Sequence, residues 1–316
     1  MNPPEPGPSP NQGWTHREQI GLDGAGRTVL AHLAVRFPRA DAETWARRIA
    51  EGQVHLDGAP ALPEQRLHAG QSLAWARPPW IEPEVPLCTA VLYEDEDLLA
   101  VAKPDGLPTM PGGGVFLEHT LLALVRRRAP EASPMHRLGR STTGIVLFAR
   151  TAAARRVVQE AFRAHHLRKV YRALCAGHPP QDSFDIAAPI GDVPHPLLGR
   201  IHGANPEGRA SLSHVRVLER RQDCALVEVE IETGRPHQIR IHLAFAGHPL
   251  LGDPLYGPDG SPLPGTTALP GDPGYQLHAL RLELVHPRTG QPLSIFCAPP
   301  PILRRQKEET GPGRES

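Results

Sequence analysis

The chain has 316 residues and carries 34 Lys and Arg against 34 Asp and Glu, so its formal net charge is zero. That length allows a large domain plus a small one and a sizeable core, whereas the charge balance alone points to no partner. Four scattered cysteines without a CxxC pair and the lack of an HExxH motif argue against a metal site and a disulfide scaffold.

Residues 1–16 are Pro-rich and polar, and are expected to be a disordered tail. A small unit follows over residues 17–77. Val29, Leu30, Leu33, Ala34 and Phe37 recur at helical spacing, Trp45, Ile49 and Ala50 mark a second helix, and residues 51–58 and 67–75 read as short strands with Asp57-Gly58 at a tight turn. Residues 78–88 are a stiff Pro-spaced linker.

The large domain spans residues 89–301, with a charged tail over 302–316. It begins with two strands around the acidic turn at 94–97. Gly112-Gly113-Gly114 lacks the Lys-Ser/Thr of a phosphate loop and reads as a turn before a helix over 117–129. A strand over 144–150 leads to an amphipathic helix over 151–166, with Thr151 as N-cap and Val157, Val158, Ala161 and Phe162 facing inward. Strands follow at 169–177, 211–221 and 225–233, then a helix at 237–247, a surface loop at 257–274, and closing strands at 278–287 and 293–299. Adjacent strands broken by few helices predict an α+β fold: a mixed, mainly antiparallel central sheet with flanking helices, preceded by a small α/β unit. Singly placed cysteines in apolar settings suggest reduced, buried structural thiols in a cytoplasmic protein. No apolar run reaches the roughly 18 residues of a membrane span, and the N-terminus lacks a signal peptide's basic start and apolar stretch.

Chemistry concentrates in three places. Between Arg126 and Arg172, twelve Lys and Arg face only Glu131 and Glu160, which suits either a phosphate-binding face or a solvated helix surface. Within that run, HRLGRSTTG (136–144) crowds His136, Arg137 and Arg140 around Gly139 with no acid, and RKVYRAL places Tyr171 on a strand beside Arg168 and Lys169. By itself such a Tyr is more often core packing than catalysis. In TGRPHQIRIH (233–242), Arg235, His237, Gln238 and His242 surround Arg240, which sits among Ile239, Ile241 and Leu243. Burying that Arg is costly unless it meets an anion.

Five blocks, LYEDEDLLAVAKPDGLPTMPGG, HRLGRSTTGIVLFARTAAA, RKVYRALCAG, TGRPHQIRIHLAFAGHPLLGDPLYG and LHALRLELVHPRTGQPL, together resemble the RluA-type pseudouridine synthases in content and order, from Leu92 to Pro300. Residues 28–75 resemble, less sharply, the αL-type RNA-binding module shared with a small-subunit ribosomal protein. The resemblance implies a pseudouridine synthase fold and an isomerase that detaches uracil, turns it and rejoins it through carbon 5, with no cofactor and no metal. The target base must leave the stack to reach the pocket. It further implies that Tyr171 packs on the flipped base, that Arg240 pairs with the catalytic acid, and that His136, Arg137, Arg140, Arg168, Lys169, Arg235 and His237 face RNA. The family's catalytic Asp falls at Gly139. Glycine offers no nucleophile and leaves Arg240 without its usual partner, an uncompensated buried cation; Asp105 and Asp253 fit structural loop positions.

Two readings follow. One is an RNA pseudouridine synthase acting on structured rRNA or tRNA; the other is a catalytically silent RNA-binding member of the family. In both, the partner is RNA, no membrane is involved and the chain is expected to be a monomer.

Overall fold

The computed structural model describes residues 9–38, 40–112 and 114–306. Residues 1–8 of the tail expected over 1–16, residues 307–316 of the tail expected over 302–316, and Gly113 of the glycine run therefore lie outside the described residues. The chain divides into two compact units, Met1–Pro83 and Glu84–Ser316.

In the smaller unit, strand β1 (Trp14–Gln19) precedes helices α1 (Val29–Arg36) and α2 (Ala42–Ala50) and strands β2 (Val54–Leu56), β3 (Ala59–Pro60) and β4 (Ser72–Arg77). The antiparallel sheet runs β1-β4-β2-β3. The side chains of Thr28 and Asp41 cap the two helices by accepting from Ala31 N and Thr44 N. Asp57 and Gly58 both have positive φ, 51° and 85°, as a primed hairpin turn requires. The turn joins β2 to β3, however, while the segment expected as its partner becomes β4 on the other side of β2.

The tail boundary at residue 16 is corrected. Trp14, Thr15 and His16 pair with Arg77, Ala76 and Trp75, and Asn11 is buried with its Nδ2 donating to Glu82 Oε1 at 2.7 Å. Backbone pairing and one buried polar contact order residues whose composition alone gave no sign of it.

In the larger unit, the elements are β5 (Ala90–Glu94), β6 (Leu98–Lys103), α3 (Leu121–Arg128), β7 (Ser133–Pro134), β8 (Thr142–Ala149), α4 (Ala152–Arg163), β9 (Arg168–Ala176), β10 (Ser183–Ile186), β11 (Ile190–His195), β12 (Gly199–Ala204), β13 (Ser213–Arg220), β14 (Cys224–Ile231), α5 (Gln238–Phe245), β15 (Leu277–Val285) and β16 (Pro292–Phe296). The main sheet runs β10-β13-β14-β9-β15-β8-β6-β5, with β16 added on β15 and β7 on β8, and β11-β12 form a separate hairpin. Every pairing is antiparallel except β15 with β8. The mixed, mainly antiparallel α+β fold expected from the sequence is the one observed.

Strand β8 is buried on both faces, which explains its unbroken apolar run. Ile145 and Leu147 join the α4 side of the core, while Val146 and Phe148 join the α3 side. Helix α4 starts as expected, with Thr151 Oγ1 accepting from Ala154 N. Its inward stripe is Ala154, Val158, Ala161 and Phe162, whereas Val157 is exposed, one position off the stripe. Among the cysteines, Cys175 and Cys297 are buried, but Cys88 is exposed on the chain leading into β5. Where β8 and β15 run parallel, Gly144 has φ 102°, and a Cβ there would lie 2.2 Å from the Ala279 carbonyl oxygen. Only glycine fits.

Candidate active site

The turn before β8 is fixed by groups that reach its backbone. Gly139 O accepts from Thr142 N, and Leu138 exchanges two hydrogen bonds with the Thr109 hydroxyl. The Lys103 side chain is almost wholly buried, and its Nζ donates to the carbonyls of Pro104, Leu107 and Arg140 at 2.9, 2.7 and 2.8 Å. Burial, opposed in part by Asp105, pulls the Lys103 pKa down to about 7. His136 Nε2 accepts from Leu147 N at 3.0 Å and its ring packs near Phe162. Burial lowers its pKa to about 4, so the imidazole is neutral and acts as an acceptor that ties the turn to β8.

The start of α5 is fixed by side chains. Gln238 is buried; its Oε1 accepts from Thr233 Oγ1 and Arg235 N, and its Nε2 donates to Leu212 O and Ser213 Oγ. His237 holds the left-handed conformation at the helix start, φ 57°. Tyr256 Oη spends its only proton on the His202 carbonyl, so His237 Nδ1 must donate to Tyr256 Oη at 2.7 Å. That assignment leaves His237 Nε2 as an acceptor. Burial and the nearby Arg240 charge push the His237 pKa down to about 3, keeping the ring neutral.

Arg240 is not an uncompensated cation. Its Nε and Nη2 donate to Asp253 Oδ2 and Oδ1 at 2.7 and 2.8 Å, and Nη1 donates to the Pro270 carbonyl at 2.8 Å. The two side chains are 2% and 1% exposed, so this bidentate pair is desolvated and satisfied. Burial disfavours its charge, but Asp253 outweighs that and raises the Arg240 pKa. The guanidinium also lies 4.3 Å and 5.0 Å from the ring centres of Tyr275 and Tyr256. The expectation of an unpaired Arg240 fails because the partner comes from the loop after α5. Asp253 Oδ1 further accepts from Leu255 N and Tyr256 N, and the side chain is 1% exposed and does not line the cleft between the turn and α5, so it is committed to structure. The 257–274 segment is likewise more than a surface loop, since its Pro270 carbonyl completes the Arg240 site.

Between these two walls opens a cleft that faces solvent. Arg137, Leu138, Gly139 and Thr142 line it from the turn, Tyr171 and Ile231 from β9 and β14, and Arg235, His237, Gln238, Ile239 and Arg240 from the α5 start; Tyr275 and Leu277 complete it. Among the described residues, no carboxylate lines the cleft. Burial pushes Tyr171 up to about 12, so it remains a phenol. A neutral aromatic beside three guanidinium groups suits a planar, electron-rich base carried on a phosphate backbone.

The cleft thus brings together Gly139, Tyr171, Arg240, Arg137, Arg235 and His237 from the sequence-based set. The others are engaged elsewhere. His136 lies beneath the turn, and Lys169, 7% exposed, donates to the carbonyls of Glu232 and Thr233, where it supports the 233–238 loop from below. Arg168 pairs with Glu230 and Glu283, and Arg140 lies 5.8 Å from the Phe116 ring. The basic run is partly neutralised by nearby acids, with Arg128 and Arg150 on Glu94 and Arg172 on Glu228. Sequence reasoning missed Thr142, Tyr256, Tyr275 and the role of Asp253. Only the Arg240 burial argument, which called for an anion, could have found the last.

Residues 97–245 match the RNA pseudouridylate synthase family. Among curated proteins, an uncharacterized RNA pseudouridine synthase of Synechocystis sp. is 44% identical over 277 residues, 87% of this chain and 95% of that one. The ribosomal large subunit pseudouridine synthase D of Neisseria meningitidis serogroup B is 33% identical, covering 86% of this chain and 75% of its own. Among solved structures, human RNA pseudouridylate synthase domain containing 1 superposes with a TM-score of 0.54 at 24% identity, covering 71% of this chain and 89% of that one, a likeness of fold.

Proposed function

This chain belongs to the RNA pseudouridine synthase family, enzymes that isomerise uridine in RNA, and on that premise we propose that it modifies uridine in ribosomal RNA within the cleft between the 136–142 turn and α5. The observation that carries the reading is the completeness of the cleft. Arg240 keeps a satisfied anionic partner, Tyr171 stands on the wall, and Arg137 and Arg235 supply positive charge where an RNA backbone would pass. A decayed site would be expected to lose such buried, mutually dependent parts, and their retention favours the isomerase over the silent binder that glycine at 139 would otherwise suggest.

In this mechanism the target uridine flips out of its stack into the cleft, at a cost of a few kcal/mol. Tyr171 packs on the base, Arg137 and Arg235 neutralise flanking phosphates, and Arg240, locked by Asp253, presents a rigid positive edge that stabilises charge on the departing uracil. Neutral His237, fixed as an Nε2 acceptor by Tyr256, accepts a hydrogen bond from the base or the ribose. The smaller unit adds a second RNA contact. There Arg48 lies over the rings of Trp45 and Trp75, at 4.6 and 4.8 Å, and Trp14 is exposed. Ribosomal RNA is favoured over tRNA because a relative matching most of both chains is named for the large ribosomal subunit.

The test is pseudouridine mapping of rRNA and tRNA from cells with and without the gene. Loss of discrete rRNA sites on deletion supports the reading. Loss confined to tRNA moves the substrate, and an unchanged map of both contradicts it. Among the described residues, no helix is long and apolar enough to cross a membrane.

A further inference from the structure

The cleft lacks a carboxylate, yet an oxygen stands where one would begin. A Cβ built on Gly139 would lie 2.6 Å from Tyr275 Oη, 3.4 Å from Thr142 Oγ1 and 3.9 Å from Tyr275 Cζ. The phenolic oxygen therefore occupies the space through which any side chain at residue 139 would leave the backbone. Tyr275 itself is only 3% exposed, its ring lies under the Arg240 guanidinium at 4.3 Å, and its Oη is 3.4 Å from Thr142 Oγ1. It lines the cleft with Tyr171 and Arg240. Asp253 cannot substitute, because Arg240 and two backbone amides take up its oxygens.

We infer that Tyr275 Oη is the catalytic oxygen of this chain, replacing a carboxylate at residue 139 as the nucleophile toward ribose C1′. The inference rests on the proposed uridine isomerisation. The new Oη–C1′ bond forms as C1′–N1 breaks; the electron pair goes to uracil N1, and the phenolic proton follows it. The freed uracil turns, C5 forms its bond to C1′, and Oη–C1′ breaks with its electron pair returning to Oη. The proton from C5 then restores the phenol. Atoms and electrons balance without a co-reactant, and tyrosine has precedent as a glycosyl nucleophile. Arg240, held by Asp253, steadies the negative charge that passes through the base.

Steric exclusion makes the proposal testable by exchange. The natural protein, Tyr275→Phe, Gly139→Asp and the double variant are incubated with an unmodified large-subunit rRNA transcript. Pseudouridine is read by mass spectrometry, RNA retention by filter binding and folding by thermal melting. Tyr275→Phe is expected to slow conversion about a thousandfold while RNA affinity and melting stay within about twofold and a few degrees. Gly139→Asp alone is expected to slow conversion relative to the natural protein because its Cβ displaces Oη, whereas the double variant, freed of that oxygen, regains at least about tenfold over Tyr275→Phe. Conversion by Tyr275→Phe within about threefold of the natural protein overturns the inference and leaves the isomerase reading standing. So does a double variant no faster than Tyr275→Phe. A natural protein that converts no uridine in rRNA or tRNA overturns both.

Discussion

Both walls of the cleft are rigid, but by different means. The 136–142 turn is held through its backbone: Lys103 gathers three carbonyls, Thr109 brackets Leu138, and His136 receives an amide of β8. None of those contacts involves a side chain at residue 139. The α5 wall is held side chain to side chain, by Arg240 on Asp253, His237 on Tyr256, and Gln238 on Thr233 and Ser213. A glycine at 139 therefore leaves the turn in place, while loss of one partner on the α5 side leaves another buried and unsatisfied. The first wall tolerates change at its chemical centre. The second does not.

The largest loss is expected at the junction of β8 with β15, which carries the 136–142 turn. Gly144→Ala would force a Cβ to 2.2 Å from Ala279 O at φ 102°, and soluble folded protein should be lost, a cost of about 4 kcal/mol or more. Circular dichroism of the purified fraction checks it. Next, Asp253→Ala should cost about 3–5 kcal/mol in urea denaturation by stranding Arg240, whereas Asp105→Ala, an exposed acid whose recorded contact is its own turn, should fall within about 0.5 kcal/mol of the natural protein. Equal effects would sink the distinction between the two acids.

On the turn, Lys103→Met keeps the aliphatic stem but removes the donor to the Pro104 and Leu107 carbonyls, while the Arg140 carbonyl keeps Gly106 N, with an expected loss of about 2–3 kcal/mol in the same assay. His136 gives the turn an acid sensitivity. Its folded pKa, about 4, lies below the ordinary histidine value of 6.5, so between those values the unfolded chain binds more protons. Stability should therefore fall as pH drops from about 6.5 to about 4, and His136→Gln, which keeps an acceptor for Leu147 N but cannot titrate, should flatten that part of the profile. Smallest of all for the fold, Arg137→Ala should leave melting unchanged while reducing the salt slope of RNA binding by about one. An unaltered slope would remove Arg137 from the RNA path.

Local pattern revealed most of the framework. The 3.6-residue stripe found α4, and the Asp57-Gly58 pair found its hairpin. What escaped notice depended on distant partners. The β10 segment SFDI alternates but is only four residues long, while the β11 and β12 segments IGDVPH and GRIHGA carry Gly or Pro that interrupt alternation, and all three become strands by pairing. Trp14 to His16 read as tail because their order comes from β4, some 60 residues on. In the site, the resemblance located Gly139, Tyr171 and Arg240, but the same motif reasoning placed His136 and Lys169 toward RNA when both are consumed in supporting backbone. Tyr275 carries no local signal, since its relation to Gly139 arises only when β15 pairs with β8 in three dimensions.

The most direct test of the account is conversion by the purified chain itself, with Gly139 unaltered, on unmodified ribosomal RNA. Pseudouridine should form at discrete positions, and Tyr171→Ala should abolish it while RNA remains bound. Tight RNA binding by the natural chain with no uridine converted at any position would contradict the claim that this acid-free cleft is a working site.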